Sequence, residues 1–165
     1  MLQEKVQKSL NQQMNAEFYS SYLYLAMSSY FESENFSGIA KWMKIQSQEE
    51  YGHAMKFYNY ILQAGGKINL NQIESPKTDW TSVEEVFKNT LKHEQKITKS
   101  IYDLVELSTE EKDHATNIFL QWFVTEQVEE EAAAMKILDR IKLIGDNKSG
   151  LFFLDHELGK RAASN

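Results

Sequence analysis

The sequence contains no cysteine, one proline and only seven glycines in 165 residues. Without cysteine, neither a disulfide framework nor a thiolate metal site can form. The scarcity of proline and glycine removes the residues that most often interrupt helices, so long helices are favoured. Long apolar runs are missing as well. The stretch from Tyr22 to Met27 is far shorter than the roughly 20 apolar residues that span a bilayer, so we expect no membrane-spanning segment.

Basic segments and a signal peptide are also lacking. The net charge is −6, and no block of lysine or arginine marks a surface for nucleic acid or for a membrane. The first residues, MLQEKV, introduce charge at once and contain no long apolar run. We therefore expect a soluble, cytoplasmic protein that contacts neither nucleic acid nor membranes.

Four long segments and one short one carry the apolar periodicity of helices. Apolar residues recur every three or four positions through each long segment. Gly65 and Gly66 form a helix-stop signal after the second segment, and Thr81 or Ser82 can cap the start of the third. We predict one all-α domain over residues 1–165, with a four-helix bundle at about 3–144 and a short fifth, C-terminal helix at about 150–160.

The lengths of the connections indicate how the helices are arranged. Short breaks near residues 33–37 and 108–110 make the first two helices, and the last two long ones, antiparallel pairs. Residues 66–81 have no helical period. When extended they reach about 55 Å, which exceeds the about 42 Å of a helix of roughly 28 residues. This connection can cross the whole bundle, so we predict an up-down-down-up topology with a long crossover.

Each long helix carries a glutamate near the middle of its apolar stripe. These residues are Glu17, Glu50, Glu94 and Glu130. Helices of similar length bring their midpoints to one level, so we expect the four side chains to converge in the core. Each buried charge costs several kcal/mol unless it is compensated, and His53 is the only basic residue in these stripes. Either some carboxylates are protonated or cations occupy the site.

The spacing of these residues repeats within the chain. Glu17 precedes Glu50 by 33 residues, and Glu94 precedes Gln127 by the same interval. Another candidate ligand follows three positions later in each half, on the same helix face. These two residues are His53 and Glu130. A Glu from each of two helices with Glu-x-x-His from two others is typical of di-iron carboxylate bundles. The first half matches this pattern and the second half is altered.

The ligand types indicate the kind of metal. Carboxylate oxygens with one imidazole and no sulfur favour iron or manganese over copper or structural zinc, although zinc can bind such a set in vitro.

At these positions the sequence resembles the bacterial non-haem ferritins, and the resemblance covers essentially the whole chain. The matching segments are residues 11–21 (NQQMNAEFYSS), 48–53 (QEEYGH) and 119–131 (FLQWFVTEQVEEE). The resemblance implies a ferritin-like fold and a site for two iron ions. The first iron position would be held by Glu17, Glu50 and His53. The second would be held by Glu50 as a bridge, Glu94 and Glu130, with Gln127 beside them as a hydrogen-bonding or weak ligand.

The same resemblance implies a third iron position on the inner side of the bundle. Its residues in this sequence are Glu49, Glu126, Glu129 and Glu130. Haem is not implied, because the residue before His53 is Gly52, whereas the haem-containing relatives have a haem-binding methionine there. The neutral Gln127 leaves the second position with fewer strong ligands, which suits a site that passes iron on.

Aromatic and histidine residues near the predicted site have several interpretations. Tyr24 lies two turns beyond Glu17 on the same face, and it either packs in the core or, as the resemblance implies, hydrogen-bonds Glu94 and donates an electron. Trp122 is a weaker candidate of the same kind. We expect His93 to lie at the surface, about 100° around the helix from Glu94. His114 and His156 have no ligand spacing.

The resemblance implies iron storage and detoxification. Fe(II) would be oxidised by O2 or H2O2 at the di-iron ferroxidase centre, and ferric mineral would be deposited in the cavity of a homo-oligomeric shell of 24 subunits. Three alternatives stay open at this point: a di-iron oxygenase, a DNA-protecting miniferritin and a non-catalytic helical interaction protein. Against the oxygenase, the sequence gives no signal for an organic substrate. Against the miniferritin, which places its metals between subunits, the predicted ligands lie on all four helices of one chain. A non-catalytic protein would require the four acidic residues to lie at one level by accident.

Overall fold

The chain forms five α-helices in a computed structural model that describes residues 2–162. The helices are α1 (Glu4–Ser33), α2 (Ser37–Gln63), α3 (Val83–Glu110), α4 (His114–Ile144) and α5 (Lys148–Leu158). The described residues contain no strand, so the all-α prediction is confirmed. α3 continues to Glu110, so the break before α4 falls at residues 111–113 instead of 108–110, and α5 begins slightly earlier than expected.

Local signals in the sequence explain where helices begin and end. Gly65 adopts a φ of +76°, and the backbone N–H of Gly66 donates to the carbonyl of Ile61 at 2.8 Å, which closes the end of α2. Ser82 caps α3 by accepting a hydrogen bond from the Glu85 N–H at 3.1 Å. Of the two residues predicted as caps, Ser82 is therefore the cap.

Helix directions follow from the contacts between helices. Ser21 Oγ donates to the carbonyl of Ser47 at 2.7 Å, and Ser28 Oγ donates to that of Ala40 at 2.8 Å. The residue numbers of the contacts increase along α1 while they decrease along α2, so the two helices are antiparallel. The α1–α3 pair shows the same reversal. Its contacts join Gln13 to Ser100 and Ser20 to His93. α2 and α3 therefore run parallel, as predicted for the up-down-down-up bundle.

The crossover between α2 and α3 runs along α1. Asn11 Nδ2 donates to the carbonyl of Lys67 at 2.9 Å, and Asn11 Oδ1 accepts from the N–H of Asn69 at 2.7 Å. Further along, the Trp80 ring packs on Tyr30 with the centroids 5.3 Å apart. The connection therefore passes from near the start of α1 to near its end, which is the path that the long crossover requires.

Two apolar clusters fill the bundle on either side of a polar layer. One cluster includes Phe31 and Phe87, and the other includes Leu10, Phe57 and Phe123. The residues between these clusters along each long helix are the polar ones that the sequence placed at mid-helix. This arrangement places the site in the interior, shielded from water at both ends.

α5 is fixed against the start of α2. The backbone N–H of Ile39 donates to Asp155 Oδ1 at 2.8 Å, and Lys41 Nζ donates to the carbonyl of Gly159 at 2.9 Å. A Cβ on Gly38 would lie 1.9 Å from the carbonyl oxygen of Asp155, so this approach requires glycine. Gly159 and Arg161 therefore lie along α2 towards its middle. Within the part of the chain described, no helix is long and apolar enough to cross a membrane.

Candidate metal centre

The four mid-helix glutamates lie inside the bundle. Glu17, Glu50 and Glu94 are 1–2% exposed, and Glu130 is 8% exposed. His53 is buried with them. The side chains are therefore turned towards one another and away from solvent, as the apolar stripes predicted. Their role as metal ligands stays a prediction.

One cluster has the geometry of a metal site. One potential ligand atom each from Glu17, Glu50 and His53 lies within 4.8 Å of the others. His53 Nδ1 is 3.2 Å from Glu50 Oε2, as expected for residues one turn apart. Glu17 Oε2 is buried and has no hydrogen-bond partner. A buried carboxylate oxygen without a hydrogen-bond partner, on a residue of this cluster, is an arrangement that a bound cation would complete.

A glutamine one turn before Glu17 and another before Glu50 hold the carboxylates in place. Gln13 Nε2 donates to Glu17 Oε1 at 2.7 Å, and Ser100 Oγ in turn donates to Gln13 Oε1. Gln46 Nε2 lies 2.6 Å from Glu130 Oε2 and 3.4 Å from Glu50 Oε1. In each of these contacts the amide bonds only one oxygen of the carboxylate, so the other oxygen stays available to a metal.

Glu94 is held from two sides. The Tyr24 hydroxyl donates to Glu94 Oε1, and Gln127 Nε2 lies 3.1 Å from Glu94 Oε2. Tyr24 is fully buried. The contact that the resemblance implied for Tyr24 is therefore present. Gln127 acts here as a hydrogen-bond donor to Glu94.

Burial raises the pKa of all four carboxyl groups. The pKa of Glu17 rises to about 8, first through burial and then through the neighbouring Glu50 charge. Burial and the charges of Glu94 and Glu130 raise the pKa of Glu50 well above its ordinary value. Burial also raises the pKa of Glu94 and that of Glu130 to about 7. The raised pKa values favour protonated carboxyl groups when no metal is bound, and divalent cations would replace those protons.

The residues of the third iron position are less closely grouped. One potential ligand atom each from Glu126, Glu130 and His53 lies within 4.8 Å of the others, and Glu126 is only partly buried. Glu49 lies outside this group and pairs with Arg161, while Glu129 is exposed. Two of the four predicted residues are thus brought together.

Arg161 is a basic residue at this layer that the helical stripes did not reveal. Its Nη1 donates to Gln46 Oε1 at 2.8 Å, and its Nη2 donates to Glu49 Oε2. It comes from the segment after α5, more than a hundred residues from its partners. No periodicity links such distant positions, so the sequence offered no signal for it.

Two aromatic neighbourhoods complete the site. Trp122 packs edge-on against His53 with the centroids 5.3 Å apart. His93, which was expected at the surface, is only partly exposed, because its Nε2 is 2.8 Å from Ser20 Oγ and its ring packs near Tyr24. Burial lowers the pKa of His93 to about 4. Its ring fills the α1–α3 contact, a position that depends on the partner helix.

Comparisons with known proteins agree with the fold. Residues 7–144 match the family model described as a ferritin-like domain. A bacterial non-heme ferritin of Bacteroides fragilis is 49% identical over 161 residues, which is 98% of this chain and all of that protein. A bacterial non-heme ferritin of Staphylococcus aureus is 38% identical over 98% of this chain and 97% of its own length.

Solved structures give the same result. A ferritin of Archaeoglobus fulgidus engineered into a closed form superposes with a TM-score of 0.98 at 46% identity, covering 99% of this chain and all of that one. An open-pore ferritin from the same archaeon has a TM-score of 0.97 at 47% identity, with 98% of each chain covered. The fold and the buried carboxylate layer define a ferritin-like bundle, and this chain belongs to the ferritin family. Within that family it is similar to the bacterial non-haem ferritins, which supports a role in iron storage.

Proposed function

We propose that this chain is the subunit of a cytoplasmic iron-storage shell that oxidises Fe(II) at a di-iron centre within each subunit. O2 or H2O2 takes the electrons, and the ferric product is deposited in the shell cavity. The observation that carries this proposal is the cluster of Glu17, Glu50 and His53, whose ligand atoms lie within 4.8 Å of one another. Glu17 also has a buried carboxylate oxygen without a hydrogen-bond partner, which supports a ligand role for this residue.

Two iron ions would share the polar layer. Glu17, Glu50 and His53 would hold the first, and Glu94 and Glu130 would hold the second with Glu50 as the bridge. The amides of Gln13 and Gln46 already orient three of these carboxylates, so binding requires little rearrangement. Two divalent ions would offset the charges of the four carboxylates, which removes the cost of burying them.

Tyr24 and Gln127 would serve the oxidation step from beside the metals. The Tyr24 hydroxyl donates to Glu94, so its ring is coupled to a ligand of the second iron ion and can supply an electron. Gln127 donates to Glu94 as well and adds no charge. A site with a neutral amide at this position binds its second metal less tightly, which suits iron as a substrate that moves on.

Storage requires an exit for iron and an assembled shell. Glu126, Glu130 and His53 form the overlapping group through which ferric iron would leave, with Glu49 and Glu129 completing the third iron position.

Phe152 and Phe153 on α5 are 75% and 60% exposed, as expected for a helix buried between copies in a 24-subunit shell. All metal ligands come from one chain, which disfavours a miniferritin with sites between subunits.

Fe(II) oxidation by assembled protein tests the proposal. Rapid mixing of the metal-free shell with two Fe(II) per subunit and O2 should give fast oxidation, followed by absorbance. Glu17→Ala and His53→Ala should each abolish the fast phase. Glu106→Ala, at an exposed glutamate of α3, is the matched control and should behave as wild type. Unchanged rates in both site variants would reject the di-iron centre.

A further inference from the structure

Arg161 reaches the polar layer from outside the four long helices. Its guanidinium donates to Gln46 Oε1 at 2.8 Å and to Glu49 Oε2, and its Cζ lies 4.6 Å from the centre of the Trp42 ring. The side chain is only 25% exposed. An arginine with two polar partners and an aromatic face holds a defined position.

The contact to Gln46 fixes the orientation of an amide that the metal site uses. Because the guanidinium only donates, Gln46 must present its oxygen to Arg161 and its Nε2 to the opposite side. That Nε2 lies 2.6 Å from Glu130 Oε2 and 3.4 Å from Glu50 Oε1. Arg161 is therefore linked through one amide to two of the predicted ligands.

The contact to Glu49 places a fixed positive charge on one of the residues proposed for the third iron position. Glu49 is close enough for its charge to act on the buried carboxyl of Glu130. An arginine remains charged at any working pH. It can therefore release Glu49 only by moving, and a metal ion bound to Glu49 would repel it. The two cations compete for the same carboxylate.

The fold holds Arg161 in that position. Asp155 caps the start of α2, and Gly159 accepts from Lys41. The chain therefore leaves α5 close to α2, and Arg161 follows the last residue of α5 by only three positions. The guanidinium also stacks on the Trp42 ring beside the site. Its placement therefore belongs to the packing of α5 on α2.

We propose that Arg161 is the counter-ion of the third iron position. Its guanidinium pairs with Glu49 when no metal is bound there, and iron must displace the guanidinium in order to bind. This inference rests on the proposed function. The position then binds iron weakly, and the returning guanidinium helps to release it. Arg161 also keeps Gln46 oriented towards Glu50 and Glu130, so it is a positioning residue for the di-iron pair.

Calorimetric titration of the assembled, metal-free protein with Zn(II) tests the competition without any redox step. Wild type should bind two ions tightly and a third weakly. Arg161→Ala should bind the third about tenfold more tightly, because a charged hydrogen-bonding competitor is removed. Arg161→Lys keeps the charge but cannot bridge Gln46 and Glu49, so its third affinity should lie between those of wild type and Arg161→Ala.

The matched control is Lys160→Ala. Lys160 is the neighbouring base, and it pairs with the partly exposed Glu157. Its removal should leave all three affinities as in wild type. A third affinity that is unchanged or weaker in Arg161→Ala, with the two tight ions retained, would overturn the inference and leave the di-iron proposal standing. A wild type that binds no tight pair would overturn both.

Trp42 fluorescence gives a second readout, because the guanidinium rests on that ring. Trp80→Phe and Trp122→Phe leave Trp42 as the single tryptophan. Its emission should change when the third Zn(II) binds, and the same titration in the Arg161→Ala background should show no change at that step. A shell that binds the third ion without any change in Trp42 emission would show that Arg161 stays in place, contrary to the inference.

Discussion

Replacing Glu17 with glutamine should stabilise the metal-free protein. Burial raises the pKa of Glu17 to about 8 from an ordinary value of 4.5. At pH 7 the group is therefore protonated in the folded chain and ionised in the unfolded chain. Holding that proton about 2.5 pH units above the ordinary pKa, at about 1.4 kcal/mol per unit, costs up to about 3 kcal/mol. Glutamine has nearly the same shape and does not incur this cost.

The sign of the pH dependence follows from the raised pKa. A group whose pKa is higher in the folded state contributes its full stability below the unfolded pKa and loses it as the pH rises through the folded value. The wild type should therefore lose stability between about pH 4.5 and pH 8. Glu17→Gln should lose less over this range. The gap between the two proteins should be small at pH 5 and reach about 3 kcal/mol at pH 7.

Chemical denaturation in the presence of a chelator measures the effect. Wild type, Glu17→Gln and the exposed control Glu106→Gln should be compared at one protein concentration, because assembly contributes to the free energy of unfolding. The control should follow wild type at every pH. Equal stability of Glu17→Gln and wild type at pH 7, or a gap that does not grow with pH, would refute the assignment of a protonated Glu17.

Three further predictions concern protons, Tyr24 and the docking of α5. Zn(II) binding at pH 6.5 should release at least about two protons per subunit, because the metal displaces protons from the buried carboxyl groups. Calorimetry in buffers of different ionisation heat measures this release, and a release near zero would mean that the carboxyl groups are already ionised. Tyr24→Phe should retain two bound metals but slow Fe(II) oxidation several-fold in rapid mixing, whereas an unchanged rate would leave Tyr24 a packing role beside Glu94. Gly38→Ala should lower the midpoint of thermal unfolding, because its Cβ would lie 1.9 Å from the carbonyl oxygen of Asp155. Gly52→Ala is the control, because a Cβ there meets nothing within 4 Å. It should be neutral or stabilising by up to about 1 kcal/mol, and equal losses in both variants would contradict the α5 contact.

The sequence by itself determined the helices and the level of the site. Apolar periodicity located the four long helices, and Gly65 with Gly66 ended α2 where predicted. The length of the crossover was enough to give the helix directions. The glutamates were identifiable because a charged residue inside an apolar stripe breaks a pattern set by one helix alone. The break between α3 and α4 lies later than the apolar periodicity predicts, because Asp113 caps α4 by accepting from the N–H of Thr116.

Only the tertiary structure decided which atoms meet across the bundle. A helical stripe gives the direction of a side chain from its own axis, but not its partner on another helix. The amide orientation of Gln46, the unpartnered oxygen of Glu17 and the contact of His93 with Ser20 all depend on neighbouring helices. Arg161 shows this most clearly, because it reaches Gln46 and Glu49 only after α5 has packed against α2. Contacts between such distant residues arise from packing, and no local pattern encodes them.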